Sequence, residues 1–501
     1  MASNFFQNAQ NFTVNNAQFV SNPQTFNYNS GSGDWVVFAE IQEGLDILLK
    51  ASLPQAAHDS SERDPPPRCH PGTRQDYIAQ IIQWSLNKKD RIGRMLWMQG
   101  PAGVGKSAVA QTVAETLDDK LGAAFFFSRL NSGDDPDCFF TTLAYQLATK
   151  ITPFGDILDQ KIRRDPTLVT KAMTQQFEAL IVAPVRELQN KGIDVGELVI
   201  IIDGLDECAT MESQRNIIEI VATSVQEQST PFLWIFFSRP EPHIITVFTS
   251  SRLLSLSLHL ELPVSRDVDN EITQYLTDEM ANLRREHGLP LSWPSENDIG
   301  TLVKLSAGLF IYTATIIRFI RAYDSLGPED QLRLVLSLAK KSNEVRTTHP
   351  LFELDSLYML IMQRVPSQVL LTTQKILILT SVGSRNDAKM AANILNLSES
   401  QLQYAYRSLH SVLNLACSNE EAPQNSELRA LTLTFYHASF MEFLWDPRRS
   451  GKFCLRLECA TTLRSDLLGK VNEIHKNSKR EFKLIWYWTV PTCCGRQFSL
   501  G

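Results

Sequence analysis

Apolar residues along the chain follow two regimes. Between about residue 67 and residue 265, short near-continuous apolar runs alternate with stretches of helical spacing. The runs are Met95 to Met98, Ala123 to Phe127, Leu198 to Ile202, Phe232 to Phe237 and Leu256 to Leu262. A strand buried on both faces reads as an unbroken apolar run, and strands alternating with helices mark a parallel sheet covered by helices. The pattern predicts an α/β core with a five-stranded parallel sheet. From about Asp267 the runs stop, and helical spacing continues to about Ser411 with Pro294 and Pro328 as punctuation. Three helix-like stretches then lead to two β-prone segments, Leu413 to Cys417 and Leu431 to Tyr436, across a polar loop. Three helices and a hairpin predict a winged helix.

The ends of the chain read differently. Residues 1–33 are rich in Asn, Gln, Phe and Ser, with Phe5, Phe12, Phe19 and Phe26 at an interval of seven. The composition suits a flexible tail, and the sharper alternative is a β-stacking motif. Asp34 can cap a helix whose apolar positions Val37, Phe38, Ile41, Leu45, Leu48 and Leu49 share a face. His58 to Arg74, with Pro65, Pro66, Pro67 and Pro71, reads as an extended linker. The expected units are a tail over 1–33, a helix and Pro-rich linker over 34–66, an NTPase core over 67–265, a helical domain over 266–350, a winged helix over 351–450 and an extension over 451–501.

Composition narrows the function classes. With 501 residues, 43% apolar and 21% charged, the chain has the balance of a multi-domain globular protein. A net charge of −7 gives no electrostatic reason to expect nucleic acid as a partner. The helix expected over Gln401 to Ser411 carries only Arg407 and His410, which argues against DNA binding through the wing. The longest apolar stretch, Ala307 to Ile317, falls well short of the ~20 residues of a bilayer span. No secretory leader is read at the N-terminus, and the 8 cysteines lack metal-ligand spacing, so a cytoplasmic protein with reduced thiols is expected.

The chemistry is concentrated in three segments. Gly100, Pro101, Ala102, Gly103, Val104, Gly105, Lys106 and Ser107 match G-x-x-x-x-G-K-[ST] between an apolar run and a helical run. Glycines there let backbone N–H groups curl round phosphate at a helix N-terminus. Lys106 is expected on the β and γ phosphates of ATP or ADP, and the Ser107 hydroxyl on magnesium. The second segment, Leu198 to Ile202 followed by Asp203, Gly204, Leu205, Asp206 and Glu207, delivers acids to the carboxyl edge of a parallel sheet. Asp203 is expected to hold the magnesium shell through water, while Asp206 or Glu207 could orient or deprotonate attacking water. In the third, Phe232 to Phe237 ends in Ser238 and Arg239; if this strand lies between the other two, Arg239 senses the γ phosphate. Ser128 and Arg129 end another apolar run in the same style, with no role assigned.

With these segments in this order, the chain resembles the fungal NACHT family of signal-transduction ATPases, in the class of NOD-like receptors. The DGLDE form at 203–207 is the specific part of the match, and the 67–265 unit corresponds to the NACHT core. Pro67 to Arg74 looks like the entry segment of members with nephrocystin-3-like N-terminal ATPase domains, which implies base or ribose contacts for Thr73 and Arg74. Ser306 to Tyr312 looks like the helical segment that follows the core in such proteins, and Tyr436 to Leu444 is similar to their winged-helix motif. That similarity implies that His437 reaches the β phosphate of ADP and holds a closed form. The family usually continues into a repeat array that detects a trigger, and no repeat of roughly 20 to 50 residues is read here.

The resemblance implies a switch: ADP ties core to wing, ATP releases them, the opened protein self-associates and signals in fungal defence, and slow hydrolysis resets it. Unidentified protein partners are expected downstream. The alternatives are a turnover ATPase of the remodelling type and a nucleotide-binding adaptor or decoy without signalling. A P-loop kinase would need an Arg-rich lid after the core, and none is read.

Overall fold

The computed structural model describes residues 43–89, 91–129, 133–321, 327–342, 351–382, 388–417 and 431–455. The expectations for the tail 1–33, for Asp34, Val37, Phe38 and Ile41, and for the extension beyond Leu455 lie outside the described residues.

Five strands form one sheet: β1 (Met95–Gln99), β2 (Leu121–Phe126), β3 (Val199–Asp203), β4 (Leu233–Ser238) and β5 (Ser257–Glu261). The order is β2-β3-β4-β1-β5, and all neighbouring pairs are parallel. The core is the α/β P-loop NTPase arrangement that the apolar runs predict, with an extra strand, β4, between β1 and β3. Successive side chains leave a strand on opposite faces. Leu96, Met98, Ile201, Ile235 and Phe237 therefore fill one core with the helix Lys106–Leu117, while Trp97, Phe125, Ile202, Trp234 and Phe236 fill the other.

Strand ends shift by one or two residues from the sequence reading. β2 begins at Leu121 rather than Ala123: Leu121 pairs with Val199, and Gly122, which shows no apolar side chain to the pattern, falls at a register irregularity before Ala123 pairs with Ile200. A Cβ at Gly122 would stand 2.9 Å from the Leu198 side chain, so this edge packs through the backbone.

Helices Asp269–His287, Glu296–Ser306, Phe310–Arg321, Pro328–Ser342 and Phe352–Gln363 follow the sheet. The next three, Leu370–Val382, Ala388–Leu395 and Glu399–Tyr406, precede an antiparallel hairpin of β6 (Leu413–Cys417) and β7 (Leu431–Phe435). Three helices and a hairpin make the winged-helix arrangement, closed around a small core of Ile376, Ala388, Leu402, Ala405 and Leu433. The helix Ala438–Trp445 follows the hairpin, and its Phe440 and Phe443 join the same hydrophobic cluster as Leu96 and Met98 of β1. The core sheet and the wing are thus packed through one continuous apolar interior.

In front of the sheet, the helix Glu43–Lys50 buries Leu45 and Leu48 and ties Gly44 N and Leu45 N to Asp159 Oδ1, at 2.8 and 3.2 Å. Leu49, expected on the apolar face, is 37% exposed because the helix meets its neighbours through a narrower stripe. The Pro-rich segment is not a bare extended linker. It carries short 3-10 turns at Pro54–Ala56 and Ser61–Arg63, held to the core where Gln111 Nε2 donates to His58 O at 2.9 Å and Leu53 N donates to Thr142 Oγ1 at 2.8 Å. Among the described residues no helix is long and apolar enough to cross a membrane, and no group of His, Cys, Asp and Glu is arranged to hold a metal by itself.

Candidate functional site

β1 runs into the loop Gly100–Gly105, and the helix Lys106–Leu117 begins where the loop ends. Gly103 and Gly105 take φ of +82° and +101°, the left-handed region that L side chains rarely adopt. Gly103 has a second reason to be glycine: a Cβ there would stand 2.2 Å from Ile311 Cγ2, in the first turn of Phe310–Arg321. Two loop carbonyls are bonded from outside. Ile311 N donates to Gly103 O at 3.1 Å, and Arg74 Nη2 donates to Val104 O at 2.9 Å. In a trans peptide the N–H points opposite to the C=O. Fixing these carbonyls outward therefore aims the Val104 and Gly105 N–H groups to the loop's other side, the side where an anion would be cradled. A Cβ on Gly105 would meet open space, with no atom within 4 Å.

Lys106 Nζ donates to Gly100 O at 2.6 Å and Pro101 O at 2.9 Å, which folds the ammonium across its own loop. Burial pulls its pKa down, against the raising effect of Asp206. A group in that position favours a nearby anion. Asp203, at the end of β3, is buried, and burial pushes its carboxyl up to about 6 although the Ser107 hydroxyl, Arg63 and Lys106 draw it back. Its Oδ1 is buried without a hydrogen-bond partner among the described residues. An orphaned carboxylate oxygen beside a serine hydroxyl fits a magnesium shell, because that ion takes one or two protein oxygens and completes its octahedron with water and phosphate.

The turn after β3 depends on Gly204, whose φ is +68° and whose added Cβ would stand 2.9 Å from Phe127 O. Asp206 is committed to Arg239: Oδ1 accepts from Arg239 N at 2.9 Å, and Oδ2 lies 3.2 Å from Arg239 Nε. Glu207 Oε2 accepts only a longer bond, 3.2 Å from Arg129 N. Burial, with Asp206 adding to it, lifts Glu207 to about 7. Glu207 thus stands in the range where a carboxyl can exchange a proton near neutral pH, while Asp206 is paired with Arg239. Arg129, to which the sequence assigned no role, braces this turn by donating from Nη2 to Asp206 O at 2.7 Å.

Because β4 lies between β1 and β3, Arg239 emerges between the phosphate loop and the acids. Its Nη1 reaches Glu442 Oε1 at 2.7 Å, in the helix Ala438–Trp445. His437 is the N-cap of that helix. Its Nδ1 accepts from Ser439 N at 3.1 Å and lies 2.7 Å from Ser439 Oγ, which in turn lies 2.8 Å from the Tyr358 hydroxyl. Burial, then the charges of Arg239, Lys106 and Arg318, depress His437 to about 3. The ring is neutral near pH 7, and with Nδ1 accepting, its proton sits on Nε2 as a donor. Arg318 closes the wing from the other side, donating from Nε to Ser411 O at 3.0 Å with its guanidinium 4.2 Å from the Tyr436 ring centroid.

Thr73 and Arg74, for which the resemblance implies base or ribose contacts, lie at the start of the helix Gln75–Leu86. Thr73 is buried and its hydroxyl donates to His70 O at 2.8 Å, closing a turn. Arg74, also buried, holds the phosphate loop through Val104, lies 3.8 Å from Glu271 and stacks on Phe310 at 4.9 Å. Sequence reasoning missed Arg63, Ile311 and Glu442. Ile311 and Glu442 lie in segments singled out by resemblance and Arg63 in the segment read as a linker, but none of the three was given a role.

A glycine loop between strand and helix, a strand-end acid beside the loop serine, and a cation on the intervening strand are the marks of a protein with the P-loop NTPase fold. Residues 73–239 match the family model of the nephrocystin 3 N-terminal domain, which spans the loop, the acids and Arg239. No curated protein matches the sequence. Solved structures with some likeness include the Aeropyrum pernix ORC1 protein in complex with DNA, 12% identical with a TM-score of 0.34 over 79% of this chain and 92% of that one. Cdc6p from Pyrobaculum aerophilum is 10% identical with a TM-score of 0.34 over 83% and 99%, and PCH-2 of C. elegans 11% identical with 0.31 over 60% and 73%. Likeness at this level says nothing about what the present chain binds or does.

Proposed function

We propose that the protein is a nucleotide-operated signalling switch that binds ADP or ATP with magnesium and hydrolyses ATP slowly. Lys106 and the loop N–H groups hold the phosphates, Ser107 and Asp203 the metal shell, and Glu207 activates water. The metal supplies charge neutralisation of the phosphates when bound. The observation that carries the switch reading is the ion pair between Arg239 and Glu442, 2.7 Å across the junction of core and wing. A γ phosphate within reach of Arg239 competes with Glu442 for the same guanidinium, whereas ADP offers no such competitor. His437 presents an Nε2 donor from the N-cap of the helix that carries Glu442, which suits a β-phosphate contact in the closed form. Ligand can move this balance only by its differential affinity for the two forms, and a near-complete change needs about 5.5 kcal/mol.

Released from the core, the wing exposes apolar surface, which favours self-association in a cytoplasmic protein and recruitment of protein partners, without nucleic acid or membrane. The resemblance to NACHT proteins adds fungal defence signalling as the setting. Small-angle scattering of the full chain with magnesium tests the switch. Compact particles with ADP, and extended or assembled ones with a non-hydrolysable ATP analogue, are expected. Identical scattering in both would reject it and leave the turnover ATPase, which the near-neutral Glu207 also suits.

A further inference from the structure

Arg63 ends the short turn Ser61–Arg63 ahead of the core. Ser61, Glu62, Asp64 and Pro65 around it are exposed, whereas Arg63 reaches inward. Its guanidinium stacks 3.6 Å from the Phe126 ring centroid, and Nη2 donates to Gln111 Oε1 at 3.0 Å. Phe126 pairs in register with Asp203 across β2 and β3, so the two side chains leave the sheet on one face. Gln111 stands four residues after Ser107, one turn along the same helix face. Arg63 is therefore bracketed by the immediate neighbours of both Asp203 and Ser107. Arg63 Nε and Asp203 Oδ1 are each buried without a hydrogen-bond partner among the described residues, a donor and an acceptor left open in one locality. The Asp203 charge acts on Arg63 as its countercharge.

We propose that Arg63 is a resident cation that competes with magnesium for Asp203, so that loading the metal loosens the segment 54–64 from the core. This rests on the reading that Asp203 and Ser107 hold the magnesium of a bound nucleotide. Two cations beside one carboxylate repel, and the divalent ion, anchored also by phosphate, prevails. Such coupling is reciprocal: whatever grips the segment weakens the metal, and the metal weakens the grip. Because this segment joins the chain before it to the phosphate helix, metal occupancy is passed to the N-terminal part of the protein.

The test uses the full chain at pH 8. Binding of fluorescent ADP is measured in EDTA and across a magnesium titration for wild type, Arg63→Met and Arg63→Lys. Arg63→Met should lower the magnesium midpoint about tenfold, read against that variant's own affinity in EDTA, while Arg63→Lys keeps the wild-type midpoint. Hydrogen exchange over residues 54–64 of ADP-loaded wild type should speed up on adding magnesium. An unchanged or higher midpoint in Arg63→Met, or exchange indifferent to magnesium in the wild type, would overturn the proposal. ADP binding by wild type in these same titrations separates that failure from a failure of the nucleotide reading itself, in which no variant binds.

Discussion

Replacing Glu442 with Gln removes one charge from the junction of core and wing and keeps the shape of the side chain. Glu442 and Arg239 are 37% and 21% exposed at the side chain, so their 2.7 Å pair lies between a surface ion pair and a buried one. Surface pairs contribute roughly 0.2 to 1 kcal/mol, and removing one partner of a buried pair costs about 3 to 5 kcal/mol because the other charge is stranded. Stranding does not occur here, since Asp206 remains 3.2 Å from Arg239 Nε. The expected loss is about 1–2 kcal/mol of closed-form stability, or about 5- to 30-fold in its population relative to the open form. If the wing retains ADP, release should quicken by that factor in Glu442→Gln, read by displacement of fluorescent ADP in a stopped-flow mixer. Added salt should speed release from the wild type more than from the variant, because the pair is partly screened. Release that stays within about twofold of wild type would refute the argument, since it would mean that the pair contributes under ~0.5 kcal/mol to closure.

Other outcomes follow from the same geometry. Gly103→Ala combines φ of +82° with a Cβ 2.2 Å from Ile311 Cγ2, so it should cost about 1–2 kcal/mol in backbone strain alone and more through displacement of the helix Phe310–Arg321. Calorimetry of ADP binding and thermal unfolding should both register it. With Glu207 raised to about 7, single-turnover ATP hydrolysis should rise with pH through about 7 and level off above it, and Glu207→Gln should abolish that limb while leaving ADP affinity intact. A pH-independent rate would remove Glu207 from the role of base. His437 is neutral in the folded protein down to about 3, whereas in the unfolded chain it takes up a proton below its ordinary 6.5. The unfolded state thus binds more protons between these values, and His437 withdraws stability as pH falls through that window. Chemical denaturation of wild type and His437→Gln at pH 7 and pH 5 should show the stability difference shifting in favour of the variant at pH 5.

The strands were legible because parallel strands buried on both faces leave unbroken apolar runs, and the loop because its glycines and Lys106 follow a fixed pattern. Even there Gly122 hid the start of β2, since glycine writes no apolar letter and the register with β3 shifts across it. The position of β4 between β1 and β3 is not written locally; it decides that Arg239 lies near the loop, and the sequence could state it only as a condition. The packing roles of Thr73 and Arg74 were not legible either, because the hydroxyl of one closes a turn and the guanidinium of the other braces a loop carbonyl, contacts that only the tertiary fold makes. Arg63 and Glu442 were illegible for another reason. Each is an ordinary surface-type residue in an exposed turn or amphipathic helix, and only the tertiary fold brings it to Asp203 or Arg239.

The most direct test of the central claim is to purify the full chain, denature it and identify the released nucleotide by chromatography, alongside Lys106→Ala and His437→Ala. The account predicts ADP in the wild type, none in Lys106→Ala, and depleted or faster-exchanging ADP in His437→Ala. A wild type that carries no nucleotide and turns ATP over steadily, unaffected by His437→Ala, would contradict the switch.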